Sequence, residues 1–373
     1  MVSTLPSDVR VYRPAGRVVA SSMHLHALTT CDLAEAAPRC TSTALLAAGD
    51  RPFHVTRTAV YLWARQTPWD EQAPALSVLY RIPLDGSTPT ALHVAGRPID
   101  QDAFLERDGY LHVLLRVDTP GAPPKRGQYA GPLALLRVPV SALGSGRGTA
   151  AASRYRTLPI RPSPLRYRFI DDWLVYTLTN SPLAGQSTVH AEHLDGGAGS
   201  QAVVPYRVER LEAMGSDAAL IGSDERGQYL DVVRLGPAGV TLAERRKLDS
   251  RLLQPGFYFQ PEGEGAGVLG LPLYGPARPG REYMNVGSAS ILFLRSQDQR
   301  LNELGELASG DPTGDDGCVV SCGMWYGNAR PLFLRGRVLA LLGYELVEGQ
   351  EENGRIRELR RVSLAPMAQH TRR

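Results

Sequence analysis

The stretch "GRPIDQDAFLERDGYLHVLLR", residues 96–116, sets Asp100, Asp102, Glu106 and Asp108 ahead of an apolar run. In an extended strand side chains alternate, so Asp100 and Asp102 would share one face. Two carboxylates on one face can hold a cation or exchange protons with a substrate. The competing reading is architectural: Asp100 ties down a loop, Glu106 is solvated, and Asp108-Gly109 makes a hairpin turn that needs positive φ. On this division only Asp100 and Asp102 remain candidates to line a channel.

A second pattern is "RP" ahead of strand-like runs, at Arg51, Arg97, Arg161 and Arg330. Pro stiffens the chain there, and guanidinium groups gathered at one mouth would focus an anionic ligand or an acidic peptide. "DPTGDDG" concentrates Asp311, Asp315 and Asp316 in a loop whose hard oxygens would admit Ca2+, without the EF-hand spacing. His24 with His26, and His190 with His193, are two-ligand fragments that lack a third metal ligand at diagnostic spacing. "GEGAGVLG" matches GxGxxG, but a strand-like "LPLYG" follows where a dinucleotide site needs a helix. No HExxH, P-loop or GxSxG signature occurs. No cofactor is expected, Ca2+ being the one ion the acidic loops would accept.

Cys31 with Cys40, and Cys318 with Cys322, form two close pairs. Local pairs in even number fit short-loop disulfides in an oxidising compartment, although four cysteines allow three connectivities. Zinc fits less well, since neither pair has C-x2-C spacing. "MVSTLPSDVRVYRP" shows no basic region followed by an apolar one, so no signal peptide is legible there. Reduced thiols in a cytoplasmic protein are the alternative.

These side chains need elements to hold them, and the elements read as strands. Long segments with a 3.6-residue apolar period are missing, whereas short β-rich runs bounded by Gly, Pro, Asp and Asn recur. Seven turn-then-strand landmarks appear: "GRVVASS", "TAVYLWA", "DGYLHVLLR", "DDWLVYTL", "SDAALIGS", "GAGVLGLPL" and "RGRVLALLGYEL". Most lead into further strands, which predicts an all-β fold: a β-propeller of seven four-stranded blades, with six or eight as the neighbouring counts. Residues 1–373 would form a single domain, with residues 1–15 a ring-closing strand or a tail.

The segments "RPFHVTRTAVYLWA", "SVLYRIPLDG", "GRPIDQDAFLERDGYLHVLLR" and "DDWLVYTL" resemble a bacterial family of secreted β-propeller-domain proteins distantly related to WD-40 repeats. The resemblance is clearest from about residue 51 to 180. It implies an exported or envelope-anchored protein, in periplasm, outer membrane or medium, and carries no reaction onto particular residues.

Net charge is +3, hydrophobic residues make up 43% and charged residues 21%. Basic residues are dispersed, which argues against nucleic acid, and no apolar run is long enough for a membrane span. The expectation is therefore a monomeric extracytoplasmic binding or scaffold module for a protein, peptide or anionic ligand of the cell envelope, with enzymatic activity left open. Recognition would fall at Arg51, Arg97, Asp100, Asp102, Arg161 and Arg330. The alternative is an envelope hydrolase or lyase that uses channel-mouth carboxylates, with Ca2+.

Overall fold

A computed structural model of the 373-residue chain describes residues 10–13, 23–34, 39–48, 52–65, 76–117, 132–160, 165–178, 185–248, 251–252, 256–263, 265–274, 289–310, 329–343 and 345–364. The described residues form 30 strands and two single-turn 3-10 segments, arranged in seven sheets that follow one another along the chain. This is the strand inventory of a seven-bladed β-propeller. Three sheets have four strands, three have five and the first has three. The chain divides into two compact units, residues 1–163 and 164–373.

In the first unit, sheet 1 holds β1 (Arg10–Tyr12), β2 (Met23–Asp32) and β3 (Arg39–Ala48), with β3 central and β1 parallel to it. The N-terminal strand, expected to close a ring, pairs in this sheet with Thr43–Leu45. Cys31 and Cys40 face each other across the β2–β3 hairpin and are disulfide-bonded. Beside them Thr29 meets Ser42 and Thr30 meets Thr41 through hydroxyl hydrogen bonds.

Sheet 2 holds β4 (Phe53–Val55), β5 (Ala59–Arg65), β6 (Leu76–Pro83) and β7 (Thr90–Ala95). Sheet 3 holds β8 (Arg97–Pro98), β9 (Phe104–Arg107), β10 (Tyr110–Arg116) and β11 (Leu133–Pro139). The chain then departs from a simple meander. β12 (Ser145–Thr149) runs back to pair in parallel with β7 of sheet 2, and β13 (Tyr155–Thr157) returns to β11 of sheet 3. The Tyr155 hydroxyl accepts a hydrogen bond from the Ala95 amide at 2.9 Å, a further tie between the two sheets.

The second unit is more regular. Sheet 4 comprises β14 (Leu165–Ile170), β15 (Trp173–Leu178), β16 (Ser187–His193) and β17 (Ser200–Val204). Sheet 5 comprises β18 (Arg207–Met214), β19 (Asp217–Asp224), β20 (Gly227–Gly236) and β21 (Gly239–Leu248). Sheet 6 comprises β22 (Arg251–Leu252), β23 (Tyr258–Gly263), β24 (Ala266–Tyr274), β25 (Ala289–Gln297) and β26 (Arg300–Ala308). Sheet 7 comprises β27 (Ala329–Leu334), β28 (Arg337–Leu342), β29 (Glu345–Glu352) and β30 (Arg355–Ser363). Gly265 lies at a turn and Gly267 and Gly270 within β24, so the GxGxxG run is part of a hairpin.

The tight turn expected at Asp108-Gly109 is present, and Asn353-Gly354 makes a second of the same kind. Asp108 and Gly109 have φ of 50° and 76°, and Asn353 and Gly354 have 52° and 71°, the paired positive values that join twisted antiparallel strands. Second strands such as β5 and β19 are almost wholly buried, on both faces. Apolar clusters fill the spaces between sheets: Leu45, Val60 and Val78 between sheets 1 and 2, Val175, Tyr206 and Leu220 between 4 and 5, Ile221, Leu269 and Leu294 between 5 and 6, and Ile291, Phe293 and Ala340 between 6 and 7. Burial of this kind contributes roughly 25 cal/mol per Å² of apolar surface and is what makes stacked sheets cohere. No helix among the described residues is long and apolar enough to cross a membrane.

Candidate functional site

In the stretch 96–116 the structure redistributes the carboxylates. Asp100 and Asp102 do not alternate along a strand, because β8 ends at Pro98 and residues 99–103 form a turn. There the Asp100 carboxylate accepts a hydrogen bond from the Asp102 amide at 2.8 Å, so its side chain shapes the backbone. Both residues are exposed. Glu106, read as solvated, is half-buried instead. It faces Tyr61 of β5, which is fully buried and lies directly opposite Arg81 on β6. Burial, reinforced by the Glu106 charge and opposed by Arg81, pushes the Tyr61 phenol up to about 12, so it stays protonated and serves the seam between sheets 2 and 3.

The same seam explains the glycine that begins the stretch. The Gly96 carbonyl accepts from Trp63 Nε1 at 3.2 Å and Ser77 Oγ at 3.0 Å. Its φ is 78°, and a Cβ there would stand 2.5 Å from the Arg116 carbonyl oxygen. Phe104 lies edge-on to Trp63 and stacks on His54. These contacts fix two sheets to each other.

The other predicted positions also find places. Arg97 is exposed on β8 and Arg330 on β27, each on the first strand of its sheet. Arg51, Arg161, Asp311, Asp315, Asp316, Cys318 and Cys322 lie outside the described residues. His24 and His26 share a strand face with ring centroids 6.4 Å apart, and His26 Nε2 bonds to the Ala48 carbonyl. His190 stacks on Tyr176 at 5.0 Å while His193 meets Trp173 edge-on, so these two do not converge. Burial lowers the His190 pKa. Among the described residues no three His, Cys, Asp or Glu side chains are placed to hold a metal ion.

A cluster of accessible charge lies where the first strands of sheets 4 and 5 meet. β14 reads "LRYRFI" and β18 "RVERLEAM", and the two strands touch along their edges. Arg168 grips the Glu212 carboxylate with both arms of its guanidinium, Nε at 3.0 Å and Nη2 at 3.2 Å. Arg210 Nε donates to the same Glu212 Oε1 at 2.6 Å. Two cations thus share one anion. Arg166 donates through Nε to the Glu209 backbone carbonyl at 3.0 Å, and Arg207 begins β18 fully exposed.

Glu209 would neutralise this edge if it pointed there, but the register of β18 shifts between Val208 and Arg210. The resulting bulge turns Glu209 toward its own sheet, where Ser223 Oγ and Gln228 Nε2 donate to its two oxygens. Among the described residues, Arg166, Arg168 and Arg210 therefore meet at this edge with Glu212 as the carboxylate that bonds to two of them, and exposed Arg207 lies on the same strand as Arg210. Sequence reasoning passed over them because it followed the apolar second strands. The available signal was Arg or Glu alternating with apolar residues in the strand just ahead of each landmark.

A different ion pair lies deeper in sheet 5. Asp231 is fully buried and accepts from Arg245 Nε at 3.0 Å and Nη2 at 2.8 Å, directly across strands β20 and β21. The Arg245 guanidinium stands over the stacked rings of Tyr206 and Tyr229. Burial, and then the Asp231 charge, push the Tyr206 phenol far above its ordinary range. Tyr206 belongs to the apolar cluster between sheets 4 and 5 and Tyr229 borders it, while the Arg245 side chain is 38% exposed, so the group runs from the core to the surface.

No family model matches the chain, and no curated protein matches it. Among solved structures it is similar to a protein described as a 6-phosphogluconolactonase from Bacteroides fragilis, at 10% identity over 92% of this chain and 96% of that one, with a TM-score of 0.39. It is also similar to the WD40 domain of Toxoplasma gondii coronin, at 11% identity over 92% of this chain and 77% of that one, with a TM-score of 0.41. An α-L-arabinofuranosidase from Clostridium thermocellum aligns at 9% identity over 71% of this chain and 94% of that one, with a TM-score of 0.24. Likeness at this level assigns no activity to the chain.

Proposed function

We propose that the protein is an extracytoplasmic binding scaffold whose recognition surface includes the β14–β18 edge, and that it takes an anionic partner of the acidic-peptide kind. The observation that carries this reading is the surplus of guanidinium groups there: Arg166, Arg168 and Arg210 meet the edge with Glu212 between two of them, and exposed Arg207 stands on the same strand as Arg210. Guanidinium forks match carboxylate geometry and are worth most where water is partly excluded. The Cys31–Cys40 bond supports an oxidising compartment, where such bonds persist. Asp100 and Asp102, on which a hydrolase or lyase would depend, sit on an exposed turn and lend that alternative no geometric support.

The test is fluorescence anisotropy of a labelled hexaglutamate peptide against the full chain at several salt concentrations. Binding should weaken as salt rises. It should fall by about tenfold in the Arg166→Gln/Arg207→Gln double variant, the equivalent of one lost charge-assisted hydrogen bond. Binding that ignores both the substitutions and the salt would overturn the reading.

A further inference from the structure

We propose that Glu212 is a built-in competitor: it occupies the arginine fork that a ligand carboxylate would otherwise enter, and so sets the affinity of this edge for acidic peptides. The inference rests on the reading of the β14–β18 edge as an anion-recognising surface, and it adds the element that restrains that surface.

The geometry is that of a ligand already in place. Arg168 holds Glu212 in the bidentate manner used for a bound carboxylate, and Arg210 donates to the oxygen that Arg168 Nη2 also uses. One carboxylate therefore serves two guanidinium groups and leaves the fork one negative charge short. Arg210 Nη1 is buried and has no hydrogen-bond partner among the described residues, so the donor set exceeds what Glu212 can satisfy. Access is from the Arg168 side. The Arg168 side chain is 39% exposed, against 14% for Glu212 and 16% for Arg210.

Arg166 stands two residues before Arg168 on the same strand and donates through Nε to the Glu209 carbonyl. A carboxylate arriving between Arg166 and Arg168 would meet the terminal nitrogens of one and compete with Glu212 for the other. No bond is made or broken covalently; one anion replaces another. The bulge at Glu209 is part of the device, because it removes the second carboxylate of β18 from the contest and leaves Glu212 alone in the fork. A ligand bound in this way gains only the difference between its own fit and that of Glu212, so removing the Glu212 charge should raise affinity.

The prediction is a gain of function. In the full chain, Glu212→Gln should bind labelled hexaglutamate about tenfold more tightly than the parent, and adding Arg168→Gln should abolish the gain. Thermal melts establish that each variant is folded. Should Glu212→Gln not fold, the parent protein serves: Nε resonances of Arg168 and Arg210 in 15N spectra should shift together on titration with the peptide. A folded Glu212→Gln that binds no more tightly than the parent, or Nε signals that stay still while peptide binds, would overturn the competitor role. In that case loss of binding in Arg166→Gln/Arg207→Gln would still uphold the anion-recognising edge. Absence of peptide binding in the parent and in Glu212→Gln alike would overturn both.

Discussion

In the second unit every sheet is made from strands consecutive in the chain, and each strand pairs with its sequence neighbour or next neighbour. In the first unit β12 leaves sheet 3 to lie parallel to β7 in sheet 2, and β1 pairs in parallel with β3, skipping β2 in the chain. Antiparallel neighbours need only a tight turn, whereas a parallel neighbour requires the chain to travel and come back. The first unit thus gains ties between sheets at the expense of local pairing. The second relies on apolar clusters between self-contained sheets. Their polar chemistry differs in the same way: the Tyr61–Glu106–Arg81 group is enclosed in a seam, whereas the Arg168–Glu212–Arg210 fork lies on a strand edge that water reaches.

The largest expected effect tests the reliance of the second unit on its clusters. Leu269 is fully buried between sheets 5 and 6, and Leu269→Ala should destabilise by about 2–5 kcal/mol, read from denaturant unfolding. A cost below about 1 kcal/mol would mean that the sheets can collapse around the gap and that their cohesion lies elsewhere. A smaller effect probes the ties of the first unit. Tyr155→Phe removes the acceptor of the Ala95 amide and should lower stability by about 1 kcal/mol. Hydrogen exchange should accelerate at Ala95 and along β12 while amides of β24 and β25 keep their protection.

The smallest effect concerns acid. Arg337 holds the Glu348 carboxyl below its ordinary range, and Arg361 does the same for Glu358. A depressed folded pKa contributes stability that is present above the unfolded value and lost as pH falls through the folded one. Asp217 behaves oppositely. Burial raises its pKa, so its contribution is present at low pH and lost as pH rises through the folded value. Melting temperature should therefore decline gently as pH drops below the ordinary carboxylate range, and Arg337→Gln should flatten that decline. An unchanged slope in the variant would show that the exposed Arg337–Glu348 pair adds nothing measurable, as many surface pairs do.

Legibility in the sequence follows the same division. Asx-Gly turns and apolar second strands mark hairpins whose partners are close in the chain, so the all-β fold and its seven sheets could be read from them. "SGRGT" could not be read as a strand, because it is mostly exposed and its partner, Ala91 to His93, is remote in sequence. Glu106 looked solvated because its burial depends on a different sheet, through Tyr61. The fork escaped for a compound reason. Arg168 and Glu212 sit on different sheets, and a one-residue bulge decides which glutamate of "RVERLE" meets the arginines.

The return of β12 to sheet 2 bears on how such a chain can be edited. Sheets 4, 5 and 7 are each encoded by an uninterrupted stretch, so duplicating or excising one of them removes or adds a whole cassette of strands. Residues 53–157 do not divide that way. A cut after Pro139 would strip sheet 2 of an outer strand encoded some fifty residues beyond its other members, and a transplanted copy of sheet 3 would carry a strand that belongs to its neighbour. Two blades are there fused into one heritable module, and in that stretch blades can be gained or lost cleanly only as a pair.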